Sequence, residues 1–290
     1  MKLSARWKMY QENDIYLNGW NGRWISARLD RACALTKIFA LKRIYLPYVE
    51  LVVTTKCSLK CRNCSNLMQL YAKPYDVELR VIKESIKNLL DAVERIGMFR
   101  VLGGEPFLYP DLAEVLDILI SSKKIKVIGI PTNGTVFPKM EVITMLKNPK
   151  VRLDISDYGV RDISNFLKMC QEKEIHHSVT LDKVWLDIGD MECRERCERE
   201  LDVQYKRCNL QCRNILNGKM FRCPRASHGD DLEIIKTPQN EFVNLVDIKS
   251  IKELRKSIAE VYYRNEYVEA CNYCDIGTDV LKKIPAGIQQ

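Results

Sequence analysis

The chain has 290 residues, 46% of them hydrophobic and 29% charged, which suits a folded protein with one large domain or one domain and a small appendage. The net charge of +8 favours anionic partners only mildly. Because the basic residues are scattered, no nucleic-acid partner is expected. No signal segment and no apolar run of membrane-spanning length is found, so we expect a cytoplasmic protein without a membrane partner.

The predicted elements begin with an N-terminal extension, residues 1–45, in which 26–42 show helix-like apolar spacing. From residue 46 onwards strands and helices alternate, which predicts right-handed βαβ units and an α/β fold with a parallel sheet. The strands are predicted at 48–53, 99–102, 126–130, 151–155 and 176–180, and the helices at 77–96, 112–122, 139–146 and 163–172.

Three cysteines, Cys57, Cys61 and Cys64, lie on the loop after the first predicted strand, with three and then two residues between them. Three thiolates can each bind one iron of a cubane [4Fe-4S] cluster and leave the remaining iron open to a ligand that binds through nitrogen and oxygen. The spacing alone leaves two alternatives, a zinc site short of one ligand and free structural thiols.

The next predicted strand ends in Gly103-Gly104-Glu105. Together with the cysteine spacing, this resembles the second motif and the CxxxCxxC signature of the radical S-adenosylmethionine (SAM) superfamily. Over residues 46–186 the resemblance implies a partial (β/α)6 TIM-like barrel with SAM on the open iron. A single electron, from an external donor such as flavodoxin or ferredoxin, would then generate a 5′-deoxyadenosyl radical. The family often has an aromatic residue where this chain has Asn63, so the adenine contact is left unassigned.

Polar and glycine residues at the strand ends are the candidate SAM contacts. The glycines allow close backbone approach, and the glutamate offers a carboxylate to the SAM ammonium group. The resemblance adds residues at the ends of the next two strands, although such motifs also occur in ordinary turns. The predicted set is Gly103, Gly104, Glu105, Asn133, Ser156 and Asp157.

A second group of cysteines, residues Cys208, Cys223, Cys271 and Cys274, lies in the C-terminal part, residues 187–290. Nine residues separate Cys208 from Gly218 and four separate Gly218 from Cys223. This resembles the CX9–15GX4C pattern of the short auxiliary-cluster module called twitch, which is related to the longer SPASM module. The resemblance implies a second, fully ligated [4Fe-4S] cluster suited to electron transfer. A four-thiolate zinc site is the alternative, and Cys212 could replace Cys208.

The other cysteines divide into two kinds. Cys33 and Cys170 lie in apolar helical patterns and are expected in the core. Cys193 and Cys197 are predicted to share one face of a short helix. With Cys212 they are candidate hydrogen donors to a substrate radical, the alternative for each being an idle or structural thiol.

The three histidines show no metal-ligand spacing. His176 and His177 are predicted at a strand, whereas His228 is predicted in a polar loop after Cys223. Residues of that loop would either reach a substrate or face solvent. They are Arg225, His228, Asp230 and Asp231.

Small radical SAM enzymes with a twitch module include aminocyclitol dehydrogenases and aminoglycoside epimerases, which this chain resembles in length and cysteine layout. The resemblance implies hydrogen abstraction from a carbinol carbon of a sugar, aminosugar or cyclitol, followed by dehydrogenation or epimerisation. Radical modification of a ribosomal peptide is the alternative within enzymes. A non-catalytic zinc or Fe–S scaffold is the alternative from another class.

Overall fold

An eight-stranded sheet, with strand order β5-β4-β3-β2-β1-β7-β8-β9, forms the centre of the structure. This computed structural model describes residues 44–181, 184–208, 212–263 and 266–290, so the predicted helix-like stretch 26–42 and Cys33 lie outside the described residues. Neighbouring strands among the first five are parallel. These five are β1 (Tyr45–Thr54), β2 (Arg95–Gly103), β3 (Ile125–Thr132), β4 (Val151–Asp157) and β5 (His177–Leu181).

A helix follows each of the first four strands, which confirms the predicted α/β fold with a partial barrel. The helices are α1 (Leu79–Ala92), α2 (Leu112–Ser121), α3 (Met140–Leu146) and α4 (Ser164–Glu172). Within the β/α series, the largest difference between predicted and observed element bounds lies between α1 and β2. The chain leaves the helix at Val93, whose backbone is extended. The strand then begins at Arg95, because that residue pairs with Tyr45 of β1, a contact that local periodicity cannot reveal.

Alternate residues of the parallel strands point to opposite faces of the sheet. On one face, apolar residues such as Val49, Leu51 and Val101 pack with the buried residues of α1 to α4 in one core. Cys170 of α4 belongs to this core, which confirms its predicted place. The other face carries polar residues such as Glu50 and Arg100, which are neighbours in the β1–β2 register.

The sixth parallel strand comes from the C-terminal part of the chain. β6 (Val184–Asp187) follows β5 in sequence, but pairs antiparallel with β10 (Lys282–Pro285) in a separate sheet. β7 (Asn214–Leu216) instead lies parallel to β1 on its other edge. Two short antiparallel strands, β8 (Lys219–Phe221) and β9 (Phe242–Asn244), extend the sheet beyond it. The C-terminal region is thus joined to the barrel through its central strand.

Three further helices are α5 (Glu198–Arg207), α6 (Pro224–Asp231) and α7 (Ile251–Tyr263). The predicted short helix bearing Cys193 and Cys197 is wrong, because Cys197 is the N-cap of α5 and Cys193 precedes that helix. The predicted polar loop after Cys223 is also wrong. Proline at the start of α6 fits a helix N-terminus, and the helix buries Arg225 and His228. Within the described ranges, no helix has the length and apolar character needed to span a bilayer.

Candidate active site

The first cysteine group lies on the loop between β1 and α1. Cys57, Cys61 and Cys64 are free thiols, and Cys57 interacts electrostatically with the other two. Amide groups point at their sulfur atoms: the Gln289 side chain donates to Cys61 at 3.2 Å and that of Asn133 approaches Cys57 at 3.8 Å. Backbone N–H groups also donate to Cys57 and Cys64. Such donors stabilise thiolates, which fits the donor set of an Fe–S cluster.

Burial affects the protonation of these thiols. It raises the pKa of Cys57 to about 12 and also raises the pKa values of Cys61 and Cys64, so metal binding must release protons. In the part of the chain that the structure describes, no three His, Cys, Asp or Glu side chains are arranged to hold a single metal ion. A cubane cluster instead uses each thiolate on a different iron.

The C-terminal residues pack against this cysteine loop. Cys61 and Gln289 form an antiparallel bridge, the Arg62 N–H donates to the Ile288 carbonyl at 2.7 Å, and the Gln290 N–H donates to the Lys60 carbonyl at 2.9 Å. The Gln289 side chain also accepts from the Lys60 N–H at 2.8 Å. This contact was not predicted from the sequence, because no local pattern signals a pairing between residues 228 positions apart.

Gly103 and Gly104 lie against the backbone that leads into the cysteine loop. A Cβ at Gly103 would lie 2.2 Å from the Thr54 carbonyl oxygen, and one at Gly104 would lie 2.3 Å from that of Lys56. Gly104 donates its N–H to Thr54 at 3.0 Å and Glu105 donates its N–H to Lys56 at 2.8 Å. The glycines therefore allow the end of β2 to support the loop. A direct contact between them and SAM stays a prediction.

Glu105 connects the ends of β2 and β3. Its side chain is fully buried and accepts from the Thr132 hydroxyl at 2.9 Å, the Asn133 N–H at 3.0 Å and the Phe107 N–H at 3.2 Å. Burial raises the pKa of Glu105 to about 7, although these hydrogen bonds oppose the shift. The carboxylate thus titrates near neutral pH, and its predicted contact with the SAM ammonium stays a prediction.

The other predicted SAM contacts lie at the same edge of the sheet. The Asn133 side chain donates to the Ser58 hydroxyl at 3.1 Å, which joins the end of β3 to the cysteine loop. Ser156 and Asp157 are half-buried at the end of β4, and Asp157 accepts a backbone N–H of the following turn at 2.8 Å. Asn63 donates at 3.2 Å to the carboxylate that ends β6. The structure therefore brings these residues around one edge, as the strand order predicted.

The polar face of the sheet forms a continuous hydrogen-bond network. The Arg100 guanidinium donates to the Tyr48 hydroxyl at 3.0 Å and to Asp154 at 3.3 Å. Tyr48 donates to Glu50 at 2.5 Å, and the Asn214 amide donates to Glu50 at 3.2 Å. Burial alone would lower the pKa of Arg100, but its partners outweigh burial and the pKa is raised. This network was not predicted from the sequence. Its signal was a charged residue within each of three apolar strands, namely Glu50, Arg100 and Asp154.

The second cysteine group also comes together. Cys271 interacts electrostatically with Cys208, Cys223 and Cys274. Gln204 holds the loop carrying Cys271 and Cys274, because its amide donates to their carbonyls at 3.0 and 2.7 Å. The structure thus brings together all four cysteines of the predicted auxiliary set.

Gly218 has a structural role within the cysteine pattern. It follows Asn217 in the turn between β7 and β8, and both residues have positive φ, 78° and 47°. Positive φ at both central residues is typical of the tight hairpin turns that favour Asn-Gly. Glycine is required because a Cβ at Gly218 would also lie 2.9 Å from Val246. The motif glycine therefore forms the hairpin that follows Cys208 and precedes Cys223.

The three candidate hydrogen donors differ in their surroundings. Cys193 and Cys197 are exposed, whereas Cys212 is partly buried. Burial, followed by the charge of Glu50, raises the pKa of Cys212 well above its usual value, and Cys223 and Arg100 also interact with it. Cys212 thus lies between the polar face and the second cysteine group, and its thiol holds its proton. A hydrogen-donor role for any of the three stays a prediction.

Comparison with known proteins agrees with this arrangement. Residues 51–183 match the radical SAM superfamily. These residues form a radical SAM domain. Such a domain implies SAM and a [4Fe-4S] cluster as cofactors, in agreement with the open three-cysteine site. The family resemblance predicted from the two motifs is therefore confirmed for this part of the chain.

The curated relatives match only part of the chain. The GTP 3′,8-cyclase of Stenotrophomonas maltophilia (strain R551-3) is 31% identical over 96 residues, which are 32% of this chain and 28% of that protein. The Caenorhabditis elegans molybdenum cofactor biosynthesis protein moc-5 is 27% identical over 141 residues, which are 48% of this chain and 22% of that protein. The chain thus spans less than a third of the length of these relatives.

Solved structures align with a larger part of the chain than the curated relatives do. Native anSMEcpe with bound AdoMet and the Cp18Cys peptide aligns with 82% of this chain and 84% of its own, at a TM-score of 0.52 and 12% sequence identity. At this low identity the similarity shows the fold alone.

Proposed function

We propose that this chain is a radical SAM enzyme that removes a hydrogen atom from a carbinol carbon of a sugar, aminosugar or cyclitol and so brings about dehydrogenation or epimerisation. The observation that carries this proposal is the polar network of Tyr48, Glu50, Arg100, Asp154 and Asn214. It lies on strands of the same sheet whose C-terminal ends carry the cysteine loop and the Gly-Gly-Glu motif. A substrate bound on this face would lie beside the radical SAM motifs.

The chain's own residues would hold and orient the cofactor. Cys57, Cys61 and Cys64 would bind the cluster, and Glu105 with Asn133 would anchor the amino-acid part of SAM. When bound and given one electron by an external donor such as flavodoxin or ferredoxin, SAM supplies the 5′-deoxyadenosyl radical.

The network is chemically suited to a molecule with several hydroxyl or amino groups. It offers a guanidinium, an amide, a phenol and two carboxylates, so hydroxyl and amino groups can find both donors and acceptors there. Arg100 Nε is buried and has no hydrogen-bond partner among the described residues. A buried donor of this kind favours a substrate oxygen as its partner.

The position of Cys212 is relevant to whether the reaction is an epimerisation or a dehydrogenation. Of the three candidate thiols it alone interacts with both Glu50 and Arg100 of the polar face. In epimerisation, Cys212 would give its hydrogen atom to the substrate carbon radical. An electron from the external donor and a proton from solvent would later restore the thiol. In dehydrogenation, the substrate radical would instead give one electron to the proposed auxiliary cluster and lose its hydroxyl proton, leaving a ketone.

A nucleotide substrate is the second candidate, since the curated relatives include GTP 3′,8-cyclases. We would therefore incubate the reduced, iron-loaded protein anaerobically with SAM and aminocyclitols, nucleotide sugars, GTP or peptides, and measure 5′-deoxyadenosine. A carbohydrate-type compound should stimulate its release above the substrate-free rate. Stimulation only by GTP or by a peptide would refute the carbohydrate assignment. A colourless, zinc-containing protein that never cleaves SAM would support a scaffold.

The role of the polar face can be tested separately. Arg100→Met and Asp154→Asn should raise the KM for the stimulating compound while leaving substrate-free SAM cleavage intact. Arg95→Met is the matched control, because Arg95 is exposed at the start of the same strand. KM values equal to that of the wild type in Arg100→Met, Asp154→Asn and Arg95→Met would show that this face does not bind substrate. With Cys212→Ala, loss of solvent deuterium incorporation at the reacting carbon, without loss of 5′-deoxyadenosine, would identify epimerisation.

A further inference from the structure

Three arginines are buried next to the second cysteine group. The exposed fractions are 4% for Arg213, 6% for Arg222 and 4% for Arg225. None of the three forms an ion pair with a carboxylate among the described residues. Burying a cation without an anionic partner strongly destabilises the folded state. The Asp275 carboxylate interacts with Arg225 but forms its ion pairs with Arg194 and Arg196. A further anion is therefore needed nearby.

Each of these arginines also has a nitrogen without a partner. Arg213 Nε, Arg222 Nη1 and Arg225 Nη1 are buried and have no hydrogen-bond partner among the described residues. Their other nitrogens bond to uncharged groups: those of Arg225 donate to the Tyr273 carbonyl at 2.5 Å and the Gly189 carbonyl at 2.9 Å. Buried donors are normally satisfied, so three unmet donors in one region indicate an acceptor there.

Arginines elsewhere in the chain are neutralised differently. Arg194 and Arg196 both pair with Asp275, at 3.0 and 2.6 Å. Among the described residues no carboxylate forms such a pair with Arg222 or Arg225, and a third guanidinium lies close by, because Arg213 donates to the Arg222 carbonyl at 3.4 Å. The unpaired arginines thus lie in a region of excess positive charge.

Thiols are among the acidic groups that face these arginines, beside the Tyr205 phenol at Arg222 and the Asp275 carboxylate at Arg225. Arg222 interacts electrostatically with Cys223 and Cys271, and Arg225 with Cys223 and Cys274. Arg213 interacts electrostatically with Arg222 and stacks on the Tyr262 ring at 4.4 Å. Four thiolates around an oxidised [4Fe-4S] core form a dianion, and reduction adds one more negative charge. This is the anion that the arginines lack.

We propose that Arg222 and Arg225, supported by Arg213, neutralise the auxiliary cluster and raise its reduction potential. This inference rests on the auxiliary cluster of the proposed function. Positive charge and N–H donors near the sulfur atoms stabilise the reduced, more negative form, so they favour acceptance of one electron. The arginines are positioning residues for this role, since they would act through the cluster and not on the substrate itself.

The test isolates the auxiliary cluster in the full-length chain. Cys57, Cys61 and Cys64 are replaced by Ala, and the protein is loaded with iron and sulfide without oxygen. It should be brown, with about four irons per chain. An EPR-monitored titration with dithionite then gives the midpoint potential. In this background, Arg222→Met and Arg225→Met should each move the midpoint to more negative values. Arg199→Met removes the same charge from an exposed position of α5 and should not.

Lysine variants cover the case in which the methionine variants do not hold iron. Arg222→Lys and Arg225→Lys keep the charge but lose the planar set of donors, so they should load iron with midpoints between the wild-type and methionine values. Iron-loaded methionine variants with the wild-type midpoint would overturn the inference while leaving the auxiliary cluster in place. Failure of both methionine and lysine variants to hold iron would also overturn it, because a retained charge would not have sufficed. Zinc in place of iron would instead refute the auxiliary cluster itself.

Discussion

His228 should make the protein sensitive to acid. Its side chain has no exposed surface, and burial lowers its pKa from 6.5 to about 3. The Tyr71 hydroxyl oxygen lies 2.8 Å from His228 Nδ1, and the same hydroxyl donates to the Asp231 carboxylate at 2.8 Å. Both hydrogen bonds are made at once when the neutral imidazole carries its proton on Nδ1 and donates it to the Tyr71 oxygen. Protonating the second ring nitrogen would place a charge in a buried site.

The sign and size of the effect follow from these pKa values. Below pH 6.5 the unfolded chain binds a proton at His228, whereas the folded chain excludes it. The contribution of this residue to stability is therefore present at neutral pH and is lost as the pH falls from 6.5 towards 3. At 1.36 kcal/mol per pH unit, the loss between pH 7 and pH 5 is about 2 kcal/mol. Glu105 acts in the opposite direction. Burial raises its pKa from 4.5 to about 7, so acidification over the same range favours the folded state by about 2 kcal/mol.

Urea unfolding at pH 7 and pH 5 would measure both contributions. His228→Asn keeps an N–H for Tyr71 but cannot be protonated, so the free energy of unfolding should fall by about 2 kcal/mol less on acidification than in the wild type. On the same acidification, the free energy of unfolding of Glu105→Gln should fall by about 2 kcal/mol more than that of the wild type. An unchanged pH dependence in His228→Asn would show that the imidazole is not excluded from protonation in the folded protein.

Three further predictions concern packing around the two cysteine groups. Gly104→Ala places a Cβ 2.3 Å from the Lys56 carbonyl oxygen, so the free energy of unfolding should fall by about 1–3 kcal/mol. Less iron should also be bound at the first cysteine loop, and a normal iron content would contradict this prediction. Gln289→Ala removes the 3.2 Å hydrogen bond to Cys61, so bleaching of the cluster in air should be roughly tenfold faster, as for other outer partners of metal ligands; an unchanged rate of absorbance loss would count against it. Asp231→Ala removes the acceptor of three hydrogen bonds of 2.6 to 2.8 Å. The free energy of unfolding, measured with urea, should therefore fall by about 3 kcal/mol. A decrease below about 1 kcal/mol would mean that water replaces the carboxylate.

The β/α series could be predicted because its apolar residues have a clear period. In α1, residues Ile82, Ile86 and Leu89 recur at helical spacing and are all buried. The cysteine spacings were equally informative, since the thiols of both groups come together in the structure. Local patterns of this kind depend only on neighbouring residues, which is why a single sequence reveals them.

Other parts of the site depend on contacts between distant residues. Helix α6 has few apolar residues and reads as a polar loop, yet Arg225 and His228 are buried within it. Their burial is made possible by acceptors elsewhere in the chain, such as the Tyr273 carbonyl for Arg225 and the hydrogen-bonded Tyr71 for His228. Periodicity measures hydrophobicity and cannot anticipate a helix that is held by buried polar partners.

The polar network also explains how the two cysteine regions are joined. Glu50 of β1 accepts from the side-chain NH2 group of Asn214 at 3.2 Å, and Asn214 Oδ1 accepts from the Ser227 hydroxyl at 2.6 Å. Ser227 lies in α6, and its N–H donates to the Cys223 carbonyl at 3.2 Å. Asn214 pairs with Glu50 in the β1–β7 register, so this route is fixed by the sheet itself. The helix that begins after Cys223 is therefore tied to the face proposed to bind substrate, and a substitution at Asn214 should disturb both regions together.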